Sequence, residues 1–234
     1  MLREIPLFSQ ADLVLAVSPP LAERWAASGR AVDLLPNGCD HTAYATTDEA
    51  QLPSDVRLPQ PLAVFVGHLS ERIDLLMLEA VAQTGASLLL VGPRQRTFAI
   101  NRLDALLARP NVQWVGPKPF EELPGYLRLA KVGLTPYADS AFNRGSFPLK
   151  TLEYLAAGRA AVVSDLPSVR WLDTDLVTVA GTPEDFARAT TEALQAAGSP
   201  VLARHRRCFA AEHSWDRRTR DFAQLLQLDV GSRA

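Results

Sequence analysis

Apolar residues along this chain gather into short continuous runs, separated by helix-length stretches in which they recur every three or four positions. The runs Leu62 to Gly67, Ser87 to Val91, Val112 to Val115, Val132 to Leu134, Ala160 to Val163 and Leu176 to Val179 predict strands, and the stretches between them predict amphipathic helices. After Thr182 the pattern is helical throughout. Strand alternating with helix is the signature of βαβ units around a parallel sheet, so the fold class is α/β, a doubly wound Rossmann-like sheet. Ligands of such sheets bind in the crevice beyond the carboxyl ends of the strands, which directs attention to the loops that follow each run.

The first forty residues read differently. Residues 11–38 give strand, helix and strand in quick succession, closed by the turn Pro36-Asn37-Gly38. From there to residue 60 periodicity fades around Pro53 and Pro59, as in a linker. A single βαβ-like piece is too small to make a domain, so the expectation is that it forms the end of something longer.

Composition narrows the chemistry. The chain has 234 residues, 47% of them hydrophobic and 21% charged, with a net charge of −2, which describes a globular protein rather than a disordered one. With 24 Lys and Arg against 26 Asp and Glu, no overall electrostatic case exists for a nucleic-acid partner. Cys39 and Cys208 fit no metal-ligand spacing and predict buried or idle thiols in a reducing compartment. No apolar run reaches the ~18 residues of a membrane span, and the opening MLREIPLFSQ lacks the apolar core of a signal peptide.

Among the loops, those at Gly67-His68, Gly92-Pro93-Arg94, Gly116-Pro117-Lys118 and Thr135 to Ser146 place glycines and cations on one predicted face. Glycine lets backbone approach a ligand closely, and Arg72, Arg94, Lys118, Arg144 and Lys150 suggest a polyanionic small ligand. The stretch SFPLKTLEYLAAGRAAVVSD, residues 146–165, is the most informative. Pro148 suits an early helical position and Gly158 a helix end, while Leu149, Leu152, Leu155 and Ala156 form the apolar stripe. That stripe does not account for Lys150 or Glu153.

The ordered segments ADLVLAVSPPLAERW, VDLLPNGCD, FVGHLSERIDLLMLEAV, LLLVGP, NVQWVGPKPFEELPGYLRLAKVGLTPY, FPLKTLEYLAAGRAAVVSDLPSV and HSWDRRTRDF resemble the nucleotide-sugar-binding half of GT-B glycosyltransferases of the group 1, or family 4, kind. The resemblance implies the C-terminal domain of a two-domain enzyme. Residues 1–40 would be a remnant of the N-terminal Rossmann-like domain, 41–60 a linker, 61–212 the donor-binding domain, and 213–234 a helix crossing back to the first domain. The implied activity is metal-independent transfer of a sugar from a UDP- or GDP-linked donor to a sugar or lipid-linked acceptor in the cytoplasm, with no cofactor. Peripheral membrane contact would fall to the missing half, which a partner chain would otherwise supply.

By the same resemblance, Glu153 holds the donor's ribose hydroxyls, and Ser146, Phe147, Pro148 and Leu149 line its diphosphate end. Arg72 and Lys150 carry the catalytic role of stabilising the leaving diphosphate. Gly67 and His68 lie beside donor phosphate or acceptor, Gly116, Pro117 and Lys118 form the loop that holds the base, and Asn143 borders the donor sugar. Two departures stand out: Glu71-Arg72-Ile73-Asp74 replaces a basic pair, and Gly145 stands where retaining relatives carry a second Glu. An epimerase on the same scaffold, a binding module without turnover and a docking module remain as alternatives.

Overall fold

A computed structural model describes residues 10–228. Residues 1–9, covering most of the segment read for a signal peptide, and residues 229–234 of the expected C-terminal segment lie outside it. A two-stranded parallel sheet comes first, with β1 (Leu15–Ala16) and β2 (Asp33–Leu34) flanking α1 (Pro19–Ala26). The short α2 (His41–Ala45) follows.

The main sheet has β3 (Leu62–Val66), β4 (Ser87–Val91), β5 (Val112–Trp114), β6 (Ala130–Thr135), β7 (Ala160–Ser164) and β8 (Val177–Ala180). They are all parallel and run in the order β5-β4-β3-β6-β7-β8. The helices between and after them are α3 (Leu75–Gln83), α4 (Ile100–Leu107), α5 (Leu123–Leu129), α6 (Ala141–Gly145), α7 (Leu149–Ala156), α8 (Pro167–Arg170), α9 (Pro183–Gln195), α10 (Pro200–Glu212) and α11 (Trp215–Leu225). None of the described helices is long and apolar enough to cross a membrane.

Every residue of β3 and β4 is buried, which is why those strands read as unbroken apolar runs. Alternation decides the layer. Leu62, Val64 and Val66 pack with α5 and α7 through Leu127, Leu152 and Leu155, whereas Ala63 and Phe65 pack with α3, α4 and α9 through Leu78, Leu103 and Phe186. Strand order reverses between β3 and β6, so the crevice opens above those two strands.

The stretch expected as a linker is strapped along one face of the domain. Tyr44 and Thr47 are buried, Asp48 pairs with Arg159 and Arg207, and Asp55 accepts from Lys118 and Tyr126. Gly125 is required beneath this strap, because a Cβ there would stand 2.2 Å from the Gln51 carbonyl oxygen. Its polar sequence hides the packing, since the anchors are individual side chains without a period.

Candidate functional site

Glycines hold the strand ends together. Gly67 N donates to the Val91 carbonyl at 2.9 Å, and Gly92 N to the Gly116 carbonyl at 2.8 Å. Gly92 has φ +136°, and a Cβ there would lie 2.0 Å from the Gly67 oxygen, so no other residue fits. Gly116 has φ +74° and opens onto free space, with Pro117 following it. His68 is exposed and makes no hydrogen bond among the described residues.

The crevice is bounded by the loops after β3 and β6. Asp74 N donates to the Pro136 carbonyl at 2.8 Å and Ala138 N to the Arg72 carbonyl at 2.9 Å. Asn143, fully buried, donates from Nδ2 to the Arg72 and Ala138 carbonyls at 2.8 Å and accepts from Arg72 Nε at 3.3 Å. Its side chain is turned into the protein, where it fixes Arg72 in place. The Arg72 guanidinium lies over the rings of Phe142 and Tyr137, 4.6 and 5.4 Å from their centroids.

Tyr154 explains how β3 and β6 separate above this point. Fully buried, it accepts from Val66 N at 2.9 Å and donates to the Leu134 carbonyl at 3.2 Å, tying both strand ends to α7. Gly133 makes room for its ring; a Cβ there would stand 2.2 Å away.

At the entrance to α7, Ser146 Oγ donates to the Asn143 carbonyl at 3.0 Å, and Phe147 packs edge-on against Trp171 with centroids 5.8 Å apart. Pro148 is the N-cap and supplies no side-chain cap, and Leu149 N donates to the Phe147 carbonyl at 2.9 Å. The side chains of Phe147 and Pro148 therefore face the protein, and Leu149 packs against the core. What this stretch offers outward is the positive end of a helix.

Glu153 sits one turn inside, 7% exposed. Lys150 Nζ donates to its Oε2 at 2.6 Å, and the Tyr44 hydroxyl donates to the same oxygen at 3.1 Å. Among the described residues Oε1 accepts nothing and is not sealed off. Burial, and then the Glu153 charge, push the Tyr44 hydroxyl well above the usual tyrosine range, so Tyr44 stays a donor. The same two causes push the buried Cys39 thiol to about 12, so Cys39 is an inert thiol, whereas Cys208 is exposed.

Four of the five expected cations are each engaged by a carboxylate, with Lys150 held by Glu153. Arg94 is paired with Asp104, Arg144 with Asp139 and Lys118 with Asp55. Lys118 is held above the usual lysine range by the Asp55 and Tyr126 bonds, and it fastens the strap. Among the described residues Arg72 alone of the five meets no carboxylate. Gly145, where a second Glu was a family expectation, is covered by the first helix: Ser18 Oγ donates to its carbonyl at 2.6 Å, and a Cβ there would meet Leu21 at 3.2 Å. Tyr44 was missed, because its partner lies 109 residues away and nothing local marks it.

A six-stranded parallel sheet with this strand order, glycine-held strand ends and helices on both faces is a doubly wound, Rossmann-like fold. The model of glycosyl transferases group 1 matches residues 60–196, and the chain belongs to that family. It is 29% identical over 223 residues to TuaH of Bacillus subtilis (strain 168), a protein named as a teichuronic acid biosynthesis glycosyltransferase, covering 91% of this chain and 56% of TuaH. Among solved structures it superposes on sucrose-phosphate synthase from Thermosynechococcus elongatus with TM-score 0.76 at 22% identity, over 96% of this chain and 60% of that one. Anabaena Alr3699/HepE in complex with UDP-glucose gives TM-score 0.71 at 16% identity, over 93% and 64% of the two chains. These structures share the GT-B glycosyltransferase fold, and the chain spans less than two thirds of the length of each relative named here.

Proposed function

We propose that this chain is the donor-binding part of a glycosyltransferase that takes a nucleoside-diphosphate sugar in the crevice above β3 and β6. The observation that carries the reading is Glu153: buried, fixed through Oε2 by Tyr44 and Lys150, with Oε1 left to accept from a ligand. A carboxylate held this way suits the paired hydroxyls of a ribose. Phosphate would then lie at the α7 N-terminus, with Arg72 and Lys150 beside it. Alr3699/HepE, whose structures hold UDP and UDP-glucose, supports a uridine donor by fold likeness, and the name of TuaH supports polysaccharide biosynthesis as the setting.

In the transfer, the acceptor hydroxyl forms a bond to the sugar's anomeric carbon, the bond to the diphosphate oxygen breaks, and that oxygen leaves with the electron pair. Arg72, Lys150 and the positive end of α7 stabilise the developing charge without requiring a metal, and the acceptor's proton goes to a base of the second GT-B half. Acceptor binding belongs to that half as well.

Calorimetric titration with UDP and with uridine tests the donor site. UDP should bind more tightly, by roughly tenfold or more for charge-assisted phosphate contacts, and 2′,3′-dideoxy-UDP should lose affinity relative to UDP. Equal affinity for UDP and uridine would remove the phosphate assignment.

A further inference from the structure

At the opposite edge of the sheet, where the strands begin, a cavity of about 970 Å³ opens between the starts of β6 and β7 and the junction of α9 with α10. Arg128, Lys131, Arg159 and Arg206 line it, against the single carboxylate of Glu192. Their partners set this group apart from the ion pairs elsewhere on the surface. Arg128 Nη1 donates to the Ala50 carbonyl at 2.6 Å, Lys131 Nζ to the Leu194 carbonyl at 2.7 Å, and Arg206 Nη1 to the Gly158 carbonyl at 3.4 Å. A carbonyl holds a cation in place without cancelling its charge.

Among the described residues only Arg159 of the four meets a carboxylate, Asp48, and it shares that partner with Arg207. Glu192 is largely exposed, and its described contact is with Arg188 at 3.4 Å. Arg206 Nε is buried with no hydrogen-bond partner, and burial, with the Arg159 charge adding to it, lowers the hold of Arg206 on its proton. The first turn of α10, a helix of 13 residues capped by Ser199, borders the same space, with Leu202 N donating to Ser199 Oγ and Ala203 N to the Ser199 carbonyl. Four cations against one exposed carboxylate around one hollow favour an anionic ligand.

We propose that this cavity is a second anion site, taking the phosphate group of an organic phosphate, either a soluble phosphomonoester or an anionic lipid headgroup. Its volume lies at the upper end of small-ligand sites, and the alanines that line much of it leave room for an uncharged portion beside the phosphate. The donor reading is not needed for this, since the two sites occupy opposite edges of the sheet.

Nuclear magnetic resonance of the full chain labelled with 15N locates binding directly. Titration with sn-glycerol 3-phosphate should shift amides of residues 128–131, 158–160 and 198–206 saturably and leave residues 150–153 unmoved. Should vesicles of phosphatidylcholine with phosphatidylglycerol broaden the same amides while glycerol phosphate leaves them unmoved, and phosphatidylcholine alone do nothing, the ligand is the lipid headgroup. Arg128→Glu combined with Lys131→Glu should weaken either interaction roughly tenfold or more, with the unfolding midpoint as the check on folding. Lys131→Gln alone, which keeps a donor for the Leu194 carbonyl, should weaken it by less. Absence of saturable shifts with both probes at low salt, or unchanged affinity in folded variants, would overturn the site.

Discussion

At the scale of single residues, the proposed donor site rests on one carboxylate, Glu153, and the two groups that hold its Oε2, Tyr44 and Lys150. Glu153→Gln keeps the shape but removes the charge from the two hydrogen bonds proposed to a ribose, so UDP binding should weaken by about 1.5–3 kcal/mol while the unfolding midpoint changes little. Calorimetry with a thermal melt reads both, and normal UDP affinity in the variant would reduce Glu153 to a structural residue. Tyr44→Phe tests the aim rather than the charge. It removes the 3.1 Å bond to Oε2 and leaves Lys150 as the described partner of that oxygen. UDP affinity should fall by about 1 kcal/mol, and less in a Glu153→Gln background, where there is less charge to hold. Glu153 stood out in sequence because the apolar stripe of its helix did not account for it. Tyr44 did not, because its role exists only once the strap closes over α7. Arg72 was legible as a cation, but the Phe142 and Tyr137 rings that seat it were not.

At the scale of elements, all six main strands were legible because parallel strands covered on both faces carry apolar runs that little else in the chain imitates. Their ends were less so: the run Val132 to Leu134 lies inside a longer strand, Ala130–Thr135, whose Lys131 interrupts the apolar pattern while its amine reaches the Leu194 carbonyl. The packing of residues 41–60 left no periodic trace at all. The junction of α10 with α11 yields a prediction of its own. His213 lies between them, half-buried, with Arg218 Nη2 2.9 Å from its Nδ1 and the Phe209 ring 4.7 Å away between centroids; Glu212 is the neighbouring carboxylate. Burial first, and then the Arg218 charge, hold its pKa below the ordinary 6.5. The unfolded chain takes up a proton near 6.5, whereas the native junction does so only at lower pH. Its contribution is therefore complete above about pH 6.5 and is lost as pH falls below that towards the native value. Amide exchange across Ser214 to Arg218 should accelerate, relative to the intrinsic rate, as pH falls through the ordinary histidine value of 6.5. His213→Gln should flatten that dependence, and an unchanged profile in the variant would assign the effect elsewhere.

At the scale of the whole molecule, α11 carries the clearest unfinished surface. Its start is locked to the β2 side of the chain: Cys39 N donates to the His213 carbonyl at 2.9 Å, and a Cβ on Gly38 would stand 2.5 Å from Trp215 N. Beyond that anchor Trp215 is 50% exposed, Phe222 39% and Leu226 41%, at spacings of seven and four residues that keep them on one side of the helix. The family resemblance implies a helix here that crosses to a first domain, and TuaH extends well beyond the part this chain matches. Apolar stripes of this kind drive association when nothing covers them. The 234-residue chain should accordingly self-associate with rising concentration. Replacing Trp215 and Phe222 by lysine removes two anchors worth about 1.5 kcal/mol each or more, so the dimer dissociation constant should rise at least roughly a hundredfold. Light scattering over a dilution series measures it. Adding a chain that supplies the N-terminal half should suppress self-association of the unmodified protein and produce donor-dependent transfer. A monodisperse chain that transfers sugar alone would refute the division of labour between two halves.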